Sequence, residues 1–540
     1  MFRYFHEYFP QAWQGYEKNG FVDELTAIRL PHSWASKDYV DFNTLAVKDG
    51  AFYNLVKDLN CPLYIDRLLG GAYFYDYPYC QKTINDYIQL LGDDFYGFQL
   101  HEYCGAVRAD FRKLQGPHSE ECDWTPESIR KFLLKYYNYD DVVYTVSMSP
   151  EELSRCGPVK NVDEFYQVLL ALFKRRNSQY RLMVCDSYQL GYKLWIENGV
   201  KTIAPEVGAQ TPDSRIQISY ARSMAKAYGI RFGVYYESWG GKPVSCGLYN
   251  RDHMSEWGQI LSYGPFQTAG GNGGSSRALH KRILHYSYVS GAQFIADEWG
   301  LGNMFYDWQN FELTPYGYVR KHFLDFVKKY PNVGEKMAPV ALVLPKDLKF
   351  LTNIHSGKFM DFEQEPEENQ IPDSTKKIIC DVFSNPADDM QGDEIKNLIN
   401  SDIPDAVDMI HEDSPNIGDY QYLIDATAHP EFSAKHHNLC TVDDLPAVLK
   451  KTLPCYVEGG LHWLVNQSHD QYYLSIFNHS GVSRSVEDGE KILPGSEKTV
   501  KVTIKDGRSL KILEGSATVR QVGSDYFVTV SGGDWFFGQF

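Results

Sequence analysis

Acidic residues recur in this chain at the ends of short apolar runs: Asp66 before Arg67, Glu102 after His101, then Asp186, Glu206, Glu237, and Asp297 beside Glu298. Aromatic side chains accompany several of them. Tyr103 follows Glu102, Tyr235, Tyr236 and Trp239 surround Glu237, and Trp299, Tyr306 and Trp308 follow Glu298. Sugar rings offer apolar C–H faces to such platforms and hydroxyls to carboxylates, so the combination predicts a carbohydrate cleft. Cleavage of a glycosidic bond takes two carboxyl groups, one protonating the departing oxygen and the other attacking or stabilising the anomeric carbon.

The elements that must hold these groups are eight strand-like runs: 2–6, 25–29, 61–66, 96–101, 181–185, 201–204, 230–236 and 292–296. They alternate with amphipathic stretches, one of them bracketed by Thr211-Pro212 at its start and Gly229 at its end. Eight such units predict a (β/α)8 barrel over residues 1–335, with its functional groups at the C-terminal ends of the strands. Strands four and seven face each other across the mouth of such a barrel, and they end at Glu102 and Glu237. Beyond Pro331 the pattern restarts. A smaller parallel α/β domain is expected over 336–455, and alternating strands with turn signals predict an antiparallel β-sandwich over 456–540.

A carboxylate at the end of strand four and another at the end of strand seven resemble the clan-A glycoside hydrolases, retaining enzymes whose acid/base Glu and nucleophile Glu occupy those places. The domain order, with a flavodoxin-like middle domain, is similar to that of family 42 β-galactosidases. Tyr8-Phe-Pro-Gln-Ala-Trp13 resembles a segment near the first strand of that family, and Tyr235-Tyr-Glu237-Ser-Trp-Gly-Gly241 is similar to the nucleophile segment of family 35. The resemblance implies Glu102 as acid/base, Glu237 as nucleophile and removal of a terminal sugar from an oligosaccharide or glycoconjugate. Expected substrate contacts are His101, Tyr103, Asp66, Arg67, Glu206, Tyr236, Trp239, Glu298 and Trp299. Clan-A chains usually carry Asn where His101 stands, so β-galactoside specificity does not carry over.

Three alternatives use the same residues: a glycosidase pairing Glu206 with Glu298, a non-catalytic carbohydrate-binding protein, and a metal-dependent barrel enzyme using the carboxylates with His6, His32 or His101. The leading reading needs no cofactor and no metal. With 53 Lys and Arg against 70 Asp and Glu, the net charge of -17 repels a nucleic-acid backbone. No run suits a bilayer span, and the scattered single cysteines read as reduced thiols, so a cytoplasmic protein is expected. The resemblance is also compatible with a homo-oligomer. The Gly-rich 269–276 segment lacks the phosphate-loop Lys and reads as a loop after strand seven.

Overall fold

The computed structural model describes residues 1–31, 42–66, 79–101, 103, 162–186, 190–207, 214–238, 276–298, 300–348, 371–383, 397–485 and 489–540, with short stretches at 75–76, 122–123, 125, 127–128, 131 and 145–146. Eight parallel strands close into a barrel: β1 (Arg3–Glu7), β2 (Thr26–Leu30), β3 (Leu63–Ile65), β4 (Phe95–His101), β5 (Leu182–Asp186), β6 (Thr202–Val207), β7 (Arg231–Glu237) and β8 (Phe294–Glu298). Each expected run overlaps one of these strands, several of which continue one to three residues further. The strands are almost wholly buried because a barrel strand is covered on both faces.

A helix follows each strand: α1 (Pro10–Lys18), α2 (Ala51–Leu59), α3 (Gln81–Leu91), α4 (Val162–Tyr180), α5 (Tyr192–Glu197), α6 (Ser214–Tyr228), α7 (Arg277–Val289) and α8 (Pro315–Lys329). Local sequence explains several of their ends. Proline begins α1 and α8, where a missing N–H costs nothing, and the Thr314 hydroxyl accepts the Gly317 N–H at 3.1 Å. Gly229, at φ +64°, lets the chain leave α6 and enter β7.

Side chains of alternate residues fill the barrel interior. Phe5, Ala27, Tyr64, Tyr96, Met183, Cys185, Ala204, Tyr235, Phe294 and Ala296 form this inner cluster. Since successive side chains on a strand point to opposite faces, the next inward positions toward the C-terminal end are Glu7, Arg29, Asp66, Glu206, Glu237 and Glu298. The apolar interior therefore gives way to charge at the mouth.

Strands β9 (Val340–Leu344), β10 (Val407–His411) and β11 (Tyr422–Asp425) form a parallel sheet ordered β10-β9-β11, the 2-1-3 arrangement of flavodoxin-like folds. It leans on α6, where the Met409 N–H donates to Ser223 Oγ at 3.0 Å and the Tyr220 hydroxyl meets His411 Nε2 at 2.8 Å. Beside a two-stranded hairpin of Val482–Ser485 and Gly489–Ile492, the C-terminal strands include β12 (Cys455–Glu458), β13 (His462–Ser468), β14 (Gln471–Phe477), β15 (Lys498–Ile504), β16 (Lys511–Gly515), β17 (Ala517–Val522), β18 (Asp525–Val530) and β19 (Trp535–Gln539), and these eight divide between two larger sheets. Both are antiparallel, and one also takes in the short strand Glu335–Lys336 through pairing with β13. Lys336 reaches Asp405, which also accepts the Tyr286 hydroxyl, so the three parts of the chain meet at one buried polar junction. Among the described residues, no helix is long and apolar enough to cross a membrane.

Candidate active site

Three glutamates converge at the C-terminal mouth. Glu206, Glu237 and Glu298 come from the consecutive strands β6, β7 and β8, and one carboxylate oxygen of each lies within 4.8 Å of those of the other two. The register accounts for this: Glu298 pairs with Glu237, while Glu206 pairs with Tyr235, one strand pleat below. From β4, His101 Nε2 approaches Glu206 Oε1 at 3.4 Å and Glu298 Oε1 at 3.9 Å. All four side chains are buried, the most accessible, His101, being 8% exposed.

On the opposite arc of the mouth stands Arg29 from β2. Its guanidinium contacts Asp66 at 2.7 Å and Glu7 at 3.4 Å, and it donates to the Asp297 carbonyl at 2.5 Å. Burial opposes the charge of Arg29, yet Asp66, Tyr235 and Glu7 outweigh it and hold its pKa above the ordinary value. Asp66 Oδ1 has no hydrogen-bond partner among the described residues and is shielded from bulk solvent. The Tyr235 ring lies beneath both arcs, edge-on to His101 at 5.6 Å and with the Arg29 guanidinium 5.5 Å from its centroid.

Of the nine expected substrate contacts, the structure gathers His101, Asp66, Glu206 and Glu298 in the mouth with Glu237. Tyr103 and Tyr236 are elsewhere. Tyr103 is fully buried with its ring 5.7 Å from Trp195, and Tyr236 packs 5.0 Å from His280 on the outer side of β7. The period of the strand decides the second case, because Glu237 shares its face with Tyr235 rather than with its immediate neighbour. His6 similarly points outward, against Tyr16 at 4.7 Å. Glu102, Arg67, Trp239 and Trp299 lie outside the described residues, as do His32 and the 269–275 part of the Gly-rich segment. Ser276, at its end, caps α7 by accepting the Leu279 N–H.

Glu7, Arg29 and Cys185 line the mouth without having been singled out from the sequence. The signal for the first two was available: each is a charged residue two positions beyond a residue of the inner cluster. Cys185, with His101 and Glu206, forms a second group whose ligand atoms lie within 4.8 Å of one another, a spacing that a metal ion can bridge. Burial, followed by the nearby Glu206, pushes the Cys185 thiol well above its usual pKa, which keeps it protonated and weakens it as a ligand.

Asp297 has a different role from Glu298. Its carboxylate faces outward, where it accepts from Arg320 Nε at 2.5 Å and the Tyr4 hydroxyl at 2.8 Å. Burial alone would raise its pKa, but Arg320, together with His280, holds it below the usual carboxylate range. Arg320 also donates to Asn303 Oδ1 at 2.6 Å, so this pair ties β8 and α8 to the loop between them.

No protein-family profile matches the chain, and no curated protein sequence matches it. Solved structures do. A catalytic mutant of Gan42B, a family 42 β-galactosidase from G. stearothermophilus, aligns over 100% of this chain and 98% of its own, with a TM-score of 0.51 at 8% identity. The β-galactosidase of Bacillus circulans sp. alkalophilus gives the same coverage with a TM-score of 0.48 at 9% identity. The catalytic module of a family 98 glycoside hydrolase from Streptococcus pneumoniae, in complex with a LewisY pentasaccharide, also aligns over 100% of this chain and 98% of its own, at 0.46 and 9%. The chain thus has a (β/α)8-barrel fold. Within that fold, its arrangement of barrel, parallel α/β sheet and antiparallel C-terminal sheets is similar to the family 42 β-galactosidase Gan42B.

Proposed function

We propose that the protein is a retaining glycoside hydrolase that removes a terminal sugar from an oligosaccharide or glycoconjugate, with Glu237 as nucleophile. The observation that carries this reading is the convergence of Glu206, Glu237 and Glu298 in a buried barrel mouth, opposite Arg29 and Asp66. A retaining mechanism works with two carboxyl groups about 5 to 5.5 Å apart, the separation this reading requires of Glu102 and Glu237.

In the first step the Glu237 carboxylate attacks the anomeric carbon. The bond from that carbon to the departing oxygen breaks, and Glu102 delivers the proton that oxygen needs. In the second step Glu102, now a base, takes a proton from water, and the water oxygen displaces Glu237 from the sugar. Glu206, Glu298 and Asp66 accept hydroxyl hydrogens, while His101 stands where an Asn amide would otherwise contact the 2-hydroxyl. A second reading makes Glu206 or Glu298 the proton donor, and the approach of their carboxylate oxygens to within 4.8 Å of Glu237 favours it.

The test is a screen of aryl α- and β-glycosides with the wild type and with Glu→Gln variants at 102, 206, 237 and 298, with and without a chelator. A Glu237→Gln protein that keeps near wild-type turnover would falsify the nucleophile assignment. Loss at position 102 that is large for poor leaving groups and small for good ones identifies the proton donor. The same pattern at 206 or 298 establishes the second reading.

A further inference from the structure

A groove of 760 Å³ lies beside the mouth, lined by Gln11, Gln14, Asp307, Trp308, Gln309 and Asn310, with Phe311 beneath. That volume falls within the range of small-ligand sites, about 300 to 1,000 Å³. Its position follows from the chain. Gln11 and Gln14 stand on the first turns of α1, which begins just past Glu7 at the end of β1, and the other residues belong to the loop that follows Glu298 at the end of β8. Strands β1 and β8 are neighbours in the barrel. The groove therefore opens on the same face as the carboxylates, at the rim between the first and last βα loops.

Its walls are fixed before any ligand arrives. Gln11 and Gln14, three residues apart, project from the exposed side of α1 while Ala12, Trp13, Gly15 and Tyr16 are buried. The Asp307 carboxylate accepts the backbone N–H groups of Gln309 and Asn310 at 2.9 and 2.6 Å, which sets the turn and leaves both amide side chains exposed. Lys18 and Asn19 donate to the carbonyls of Asn310 and Phe311, at 2.6 and 2.9 Å, and strap the loop to α1. Gly15 makes this approach feasible, for a Cβ there would stand 2.4 Å from the Phe311 ring. The half-buried Trp308 is held 5.9 Å from Phe9, a contact that orients its indole.

The chemistry of this lining is specific. Primary amides both donate and accept, which suits adjacent hydroxyls, and an indole offers an apolar face to a pyranose ring. The lining has no basic side chain and one carboxylate, which disfavours phosphate, sulfate and other anions. We infer that the groove is a second sugar-binding position, occupied by a neutral unit of the oligosaccharide remote from the bond that is cleaved. This rests on the glycosidase reading, and it makes extended chains better substrates than single-sugar glycosides.

The test separates the two ideas. A glycan array probed with the Glu237→Gln protein reports binding without turnover, and aryl glycoside hydrolysis by the wild type reports the chemistry. Adding Gln14→Ala and Gln309→Ala to the array protein should weaken binding of trisaccharides and longer glycans by about five- to thirtyfold, through loss of one or two hydrogen bonds, with monosaccharide glycosides unaffected. The Gln11→Ala/Gln14→Ala pair repeats the test on an exposed helix face that tolerates alanine, with the melting temperature as the check on folding. Such a loss supports the position whether or not any aryl glycoside is cleaved. Retained binding of long glycans in both double variants, or no glycan bound by the Glu237→Gln protein, overturns it. Array binding without hydrolysis by the wild type overturns the catalytic reading alone.

Discussion

Glu298 lies directly opposite Glu237 in the register of β8 and β7, and both carboxylates turn into the barrel mouth. Two like charges on adjacent strands repel each other, and such an arrangement is tolerated where function demands it. With Glu237 as nucleophile, Glu298 accepts a substrate hydroxyl, and a hydrogen bond to a charged acceptor contributes about 1.5 to 3 kcal/mol. Glu298→Gln should accordingly lower kcat/KM by about ten- to a hundredfold, whereas Glu237→Gln should cost on the order of ten-thousandfold or more. Equal losses at the two positions would instead mark both as members of the catalytic pair.

Tyr235 and Tyr236 provide a test of which face of β7 meets the sugar. Tyr235 is inside the barrel against His101, and Tyr236 is outside against His280. Removing the Tyr235 hydroxyl as Tyr235→Phe should reduce kcat/KM by about three- to tenfold, the worth of one hydrogen bond. Tyr236→Phe should leave kcat/KM within about twofold of the wild type and affect only the melting temperature. The reverse pattern would mean that β7 is out of register by one residue.

How far the chain announces this site can be traced residue by residue. The eight strands were legible because each is a short apolar run between helix signals, and a closed parallel barrel demands that pattern. Their C-terminal ends then located Glu206, Glu237 and Glu298. Facing was harder to read. Adjacency in sequence suggested Tyr236 beside Glu237, but adjacency on a strand means opposite faces, and Tyr235 takes that place. The Arg29–Asp66 contact joins β2 and β3 across 37 residues of sequence, and no local pattern encodes such a pair. Asp297 and Glu298 are both strand-end carboxylates, and only Glu298 was expected to meet substrate. Arg320, on a helix beyond the strand, makes the first structural and leaves the second for the mouth.

That division of labour predicts opposite phenotypes for neighbouring residues. Asp297→Asn removes one member of a buried ion pair and strands the Arg320 charge, which should destabilise the fold by about 3 to 5 kcal/mol in a denaturant titration. Glu298→Gln relieves repulsion and should leave the denaturation midpoint unchanged or raised. A stable Asp297→Asn protein would show that the Arg320, Tyr4 and Asn303 contacts do not hold β8 to α8.

Buried histidines should make the fold sensitive to mild acid. His6, His280, His411 and His462 are depressed to about 4 and His285 to about 3, in each case chiefly because burial disfavours the charged ring. Their unfolded-state values lie near the ordinary 6.5. Between pH 6.5 and 4 these rings bind more protons in the unfolded chain than in the folded one, so their contribution to stability is complete above that window and declines as the pH falls through it. Each histidine contributes a slope of up to about 1.4 kcal/mol per pH unit. The depressed carboxylates Asp297 and Asp405 act in the same direction, but only at lower pH, so the interval from 6.5 to 5 isolates the histidines. Scanning calorimetry across that interval should show Tm falling steeply, with several protons taken up on unfolding. A Tm that stays level from pH 6.5 to 5 would mean that these rings are already charged in the folded protein.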